Sequence, residues 1–157
     1  PGLTLDAVAQ QAKMSKGTLL YHFPSKEALV DGLLEQLSAM MAQHIAAELA
    51  REPEIKPGRW LRAWIRSAFS DDLRHQDIVA ALIVIVASAP DVLEKVRHLF
   101  VDAQQQAGGD GIEPSRALYI WSSAFGHWLL RVFNLAPAPK RLERQIQAEL
   151  LRLTEAS

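Results

Sequence analysis

Apolar residues recur along almost the whole chain at the three- and four-residue spacing of helices, and the runs are interrupted at proline, glycine and helix-cap residues. Leu5, Val8, Ala9 and Ala12 share one face behind Thr4, a good cap, with Asp6 in the first turn. Ser15 signals a second cap. The helix it opens is short, because Phe23 precedes Pro24 and the residue before proline avoids helical geometry. Leu5, Val8, Ala12, Leu19 and Phe23 are the expected core of this region. Ser25 opens a third helix with Glu27 in its first turn. Its stripe of Leu29, Leu33, Leu37, Met40, Met41, Ile45 and Leu49 predicts a helix lasting to about Ala50.

Glu52-Pro53 through Pro57-Gly58 reads as a linker. Trp60, Leu61, Trp64, Ile65, Ala68 and Phe69 then resume helical spacing. Residues 77–88 are rich in β-branched side chains and would suit a buried strand. A buried helix is preferred, since the run is long for a strand and no second strand-like run exists to pair with it. Ala89-Pro90-Asp91 reads as a turn and cap, followed by a helix through Val92, Val96, Leu99 and Ala103. Gln104 to Gly111 reads as a polar connection. Glu113-Pro114 opens a helix to about Phe133 that is apolar nearly all round. Ala136-Pro137-Ala138-Pro139 breaks it, and a last helix carries Leu142, Ile146, Leu150, Leu151 and Leu153. The fold class is therefore all-α.

Composition narrows the function. The chain has 157 residues, 49% apolar and 22% charged, which suits a globular domain with a real core. No cysteine is present, so disulfides, thiolate zinc sites and cysteine nucleophiles are excluded. The longest apolar run, Ile78 to Ala87, is about half the length of a membrane-spanning helix. No secretory signal opens the sequence, and a cytoplasmic location is expected. The net charge is −1, so attraction to nucleic acid requires a local patch. One exists: Lys13 to Lys26 holds three lysines and no acid, leaving −4 on the remainder.

Residues 4–23 thus form a short helix, a tight turn and a second short helix, the layout of a helix-turn-helix. Ser15, Lys16, Thr18, Tyr21 and His22 supply hydrogen-bond donors on the second helix, and Gly17 removes bulk where backbone meets phosphate. Taken with Thr4 to Ala12, the run Met14-Ser15-Lys16-Gly17-Thr18-Leu19-Leu20-Tyr21-His22-Phe23-Pro24-Ser25-Lys26-Glu27-Ala28-Leu29 resembles the DNA-binding module of TetR-family transcriptional regulators. That family usually has Gly where Lys13 stands, in a left-handed turn, and Tyr where Leu20 stands, with Tyr21 placed to take over part of its phosphate contact.

The resemblance implies that Ser15, Lys16, Gly17, Thr18, Tyr21 and His22 face the major groove of double-stranded DNA. Thr4 and Lys26 would hold phosphates on either side. It also implies a further helix ahead of Thr4, so the head is expected to be truncated and the natural product longer. The expected organisation is a helix-turn-helix head over 1–24, a connecting helix over 25–50, and a ligand-binding and dimerisation bundle over 51–157. A small apolar effector would lie among Trp60, Trp64, His98, Trp121 and Phe125, with Arg62, Arg66 and Arg131 as further polar candidates. A homodimer would form through Trp128, Leu129, Ile146 and Leu150. The expected function is a repressor released from a palindromic operator by its effector; the alternative is a helical small-molecule-binding protein without DNA-binding activity. No catalytic motif, cofactor, metal site or membrane partner is expected, and Glu94 and His98 read as a surface ion pair.

Overall fold

The computed structural model describes residues 4–52, 55–70 and 90–155. Among these, all regular structure is helical, in seven helices: α1 (Leu5–Gln11), α2 (Lys16–His22), α3 (Lys26–Ala50), α4 (Arg59–Ala68), α5 (Pro90–Gly108), α6 (Pro114–Val132) and α7 (Lys140–Leu153). The expected helix over 77–88 lies outside the described residues.

Each of the first three helices starts where a hydroxyl caps it. Thr4 Oγ1 accepts from Ala7 N at 3.2 Å, Ser15 Oγ from Thr18 N at 3.0 Å, and Ser25 Oγ from Ala28 N at 3.1 Å. Between α1 and α2 the chain turns through Lys13, whose φ of +54° is left-handed. A residue with a Cβ pays strain there, which is the physical reason glycine suits the position.

Two hydrophobic clusters hold the body together. The larger joins Leu61, Trp64, Ile65 and Ala68 of α4 to Ala117, Ile120, Trp121 and Ala124 of α6, with Ala107, Ile112 and Leu150 closing it. The smaller packs Val30 and Leu34 of α3 against Val92 of α5. α5 therefore touches α3 near the head at one end and supplies Phe100 and Ala103 to the main cluster further along.

The start of α4 is capped from a distance. Gly58, at φ +79°, has no side chain to offer, and a Cβ there would lie within 3 Å of Ile112, Arg62 and the Thr154 carbonyl. Asp110 does the capping instead. Its carboxylate accepts from Trp60 N at 3.0 Å and Leu61 N at 2.8 Å, while its carbonyl accepts from Gly58 N at 2.8 Å. Burial pushes the Asp110 carboxyl above its ordinary range, against the pull of those two N–H groups. Alongside, Glu52 accepts from Arg62 Nε at 2.9 Å and from Arg66. Burial would raise its carboxyl, yet Arg66 and Arg62 hold it below the usual value.

Three sequence expectations need correction. Gln104 to Gly108 continue α5, since glutamine is a good helix former, and the connection begins only at Gly109 and runs over residues 109–113. Ala12 is exposed rather than core, because it caps α1 beyond its last packed turn. Leu150 is only 5% exposed and belongs to the protomer's own core, so it presents no face to a partner.

Candidate nucleic-acid interface

Leu19 anchors α2. It is buried and Leu20 beside it is partly buried, while Ser15, Lys16, Gly17, Thr18, Tyr21 and His22 are all exposed, Tyr21 to 85%. The second anchor is Phe23, whose ring lies against Gly32 of α3, where a Cβ would come within 2.7 Å of it. Gly32 thus lets the head seat closely on the long helix.

The cap residues keep a donor after capping. Ser15 Oγ and Thr18 Oγ1 are 2.8 Å apart and share one hydrogen, so one O–H of the pair points outward. Gly17 meets nothing of its own protein closer than Ser15 Oγ, at 3.8 Å, so the room it leaves opens to the outside. Tyr21 and His22 rings meet edge to face at 5.2 Å. Thr4 is exposed and Lys26 is partly buried at the start of α3.

Asp6 was absent from the expected site. Lys16 Nζ reaches its carboxylate at 2.9 Å, with both side chains more than half exposed. The acid-free run 13–26 thus has one lysine partly neutralised from across the turn. Ten residues of separation and a left-handed turn produce that contact, so no local spacing rule signals it. Such an exposed pair is worth about 1 kcal/mol or less and yields readily to a phosphate.

In the body, four of the five expected effector residues come together. Trp60 stacks on Trp64 at 5.7 Å, Trp64 lies 6.2 Å from Trp121, and Trp121 stacks on Phe125 at 5.9 Å. His98 is not among them; it is exposed on α5, 3.6 Å from Glu94, the ion pair its spacing suggested. Arg62 and Arg66 are engaged by Glu52, and Arg131 by the Ala68 carbonyl at 3.2 Å and Glu143 at 3.3 Å. His127, stacked on Phe69 at 4.4 Å, is held below its usual pKa by burial, with Glu143 opposing and Arg131 adding to the shift. No group of metal-ligating side chains occurs among the described residues.

Of the expected interface residues, Trp128, Leu129 and Ile146 are half-buried. Leu118, Tyr119 and Leu130 of α6 and Leu142 of α7 are exposed apolar residues outside that expected set.

A capped helix-turn-helix seated on a long helix, with an all-helical body behind it, defines a helix-turn-helix transcriptional regulator. Residues 1–33 match the family model described as bacterial regulatory proteins, tetR family, and residues 58–155 match the one described as tetracyclin repressor-like, C-terminal domain. The chain belongs to the TetR family and is a DNA-binding transcriptional regulator. No curated protein and no solved structure matches it. Membership implies dimerisation and a small-molecule effector, and regulators of this family are generally not enzymes. No helix among the described residues is long and apolar enough to cross a membrane.

Proposed function

We propose that this regulator is a cytoplasmic repressor that binds a palindromic operator as a homodimer and leaves it when a small, largely apolar effector enters the body. Residues 1–24 read the DNA, 25–50 connect, and 51–157 sense and dimerise. Ser15, Lys16, Gly17, Thr18, Tyr21 and His22 meet the major groove, while Thr4 and Lys26 hold phosphates. The observation that carries this reading is the exposure of the donors Ser15, Lys16, Thr18, Tyr21 and His22 on either side of buried Leu19.

Two such helices must stand about 34–36 Å apart to enter successive major grooves. An effector that prefers a body with another spacing shifts the population away from DNA. α5 is suited to transmit this, since it contacts both the aromatic cluster and the first turns of α3. For the dimer, the exposed Leu118, Leu130 and Leu142 join Trp128, Leu129 and Ile146 as the proposed contact.

The test is fluorescence anisotropy of labelled DNA from upstream of the chain's own gene, repeated across salt concentrations. Specific binding whose affinity falls steeply with salt supports the reading. Absence of binding to any such DNA in dilute salt overturns it.

A further inference from the structure

Four buried side-chain polar atoms among the described residues have no hydrogen-bond partner: Glu48 Oε2, His127 Nε2, Trp64 Nε1 and Trp121 Nε1. Two have an evident setting. The other oxygen of Glu48 accepts from Arg51 at 2.6 Å, and His127 Nε2 lies 4.0 Å from Glu143. The remaining two have none. Both are indole N–H groups, which only donate, and a buried tryptophan ordinarily places its N–H on an acceptor. Trp64 is 4% exposed and Trp121 8%, so water does not readily serve them. Their rings are neighbours, 6.2 Å apart and tilted by 34°.

We infer that the effector of this chain is a flat, uncharged, largely aromatic molecule carrying a carbonyl-type hydrogen-bond acceptor, which the indole N–H groups of Trp64 and Trp121 receive. The inference rests on the ligand-responsive reading above and gives it a ligand class. Flatness follows from the stacking, since the rings of each pair already lie against one another and a guest extends a stack from its outer face. Trp60 and Trp64 are parallel within 7°, Trp121 and Phe125 within 6°, and Phe100 closes the cluster edge-on to Trp121 at 70°. Parallel aromatic faces favour a planar guest over a bulky aliphatic one. Neutrality follows from the engaged arginines of the two helices that carry these tryptophans. Arg62 and Arg66 converge on Glu52, and Arg131 is held by Glu143 and the Ala68 carbonyl, so a carboxylate ligand would have to break an existing ion pair. An acceptor follows from the donors, which are left unpaired by a hydrocarbon.

The experiment compares three probes of similar shape on the whole chain, without DNA: 9-fluorenone, which has a carbonyl, fluorene, which lacks it, and fluorene-9-carboxylate. Binding is followed by quenching of tryptophan fluorescence. Fluorenone is expected to bind about tenfold tighter than fluorene, a ratio set by hydrogen bonding rather than by area, and tighter than the carboxylate. Trp64→Phe or Trp121→Phe should reduce the preference while circular dichroism stays helical. If a variant fails to fold, the wild-type chain still decides by NMR: two of the four indole N–H signals should move downfield with fluorenone and stay with fluorene. Equal affinity for fluorenone and fluorene, tightest binding of the carboxylate, no binding of any probe, or no indole shift overturns the inference. A failure to bind operator would count against the regulator reading alone, since these measurements contain no DNA.

Discussion

Asp31 of α3 accepts an ion-paired hydrogen bond from Lys95 of α5, directly beside the contact of Val30 with the Val92 cluster. The pair bridges the long helix just behind the head to the helix that sends Phe100 into the aromatic cluster. Its visibility exaggerates its strength. Both side chains are about half exposed, whereas Val30 is 1% exposed. Lys95→Ala should therefore cost less than about 1 kcal/mol, and Val30→Ala roughly 1–3 kcal/mol, in urea unfolding. The reverse order would mean that charge, not packing, holds α3 to α5.

Asp6 and Lys16 should act on DNA binding in opposite directions. Lys16→Ala removes a cation from the proposed groove face of each subunit, so affinity should fall and the slope of log affinity against log salt should flatten by about 0.9 per subunit, or about 1.8 for the dimer. Asp6→Ala releases Lys16 from its 2.9 Å partner and removes a negative charge beside the phosphates, so affinity should rise. Anisotropy titrations at several salt concentrations check both. An unchanged slope for Lys16→Ala would take that lysine off the contact surface.

What was legible in the sequence is what short-range chemistry controls. Thr4, Ser15 and Ser25 each cap a helix by binding the N–H three residues on, and all three helix starts follow from that spacing. The stripe from Leu29 to Leu49 and the Pro-rich break before α7 are equally local. Contacts made across the fold were not legible. Asp110 caps α4 from fifty residues away, Asp6 finds Lys16 only through the turn at Lys13, and the apolar row on α7 does not say that Leu150 faces inward while Leu142 faces out. Periodicity identifies a face; it does not say which neighbour covers it.

Gly32→Ala sets two effects of similar size against each other. Alanine gains about 1 kcal/mol of helix propensity over glycine in the second turn of α3. Its Cβ would also stand 2.7 Å from Phe23 Cε1, which forces the ring that docks the head to shift, and overpacking of this kind costs about 1–3 kcal/mol. The clash should win. Operator affinity should drop because the head seats at another angle, while α3 stays helical by circular dichroism. Unchanged DNA binding would show that Phe23 repacks without moving α2.

Acid should loosen the start of α6 through Glu113. Its carboxylate accepts from the Ser115 hydroxyl at 2.6 Å, Ser115 N at 3.0 Å and Arg116 N at 2.9 Å, and these bonds hold its pKa down to about 2 from an ordinary 4.5. A carboxyl lowered by folding contributes stability that is complete above pH 4.5 and is lost as the pH falls from there toward 2. Glu113→Gln removes that ionisation. Its stability should lie below wild type at pH 6, and the gap should narrow as the pH falls through this window. A gap that stays constant from pH 6 to pH 3 would mean the cap does not depend on charge.

The dimer proposal makes its sharpest prediction at Gly126. This glycine sits in the middle of α6, and a Cβ built there meets nothing within 4 Å, so the protomer itself has no use for its smallness. Four residues on stands Leu130 and seven before it Tyr119, both exposed, which puts all three on the outward side of the helix. A small residue between two exposed apolar ones is the arrangement that admits a second helix closely. Gly126→Leu should therefore leave the protomer folded, and even raise its helix propensity, while weakening dimerisation in sedimentation. Leu130→Arg should do the same by placing charge in the contact. Leu150→Arg should behave differently: that side chain is in the protomer's core, so the chain should unfold rather than dissociate. A Gly126→Leu protein that sediments as an intact dimer would move the interface away from this face of α6.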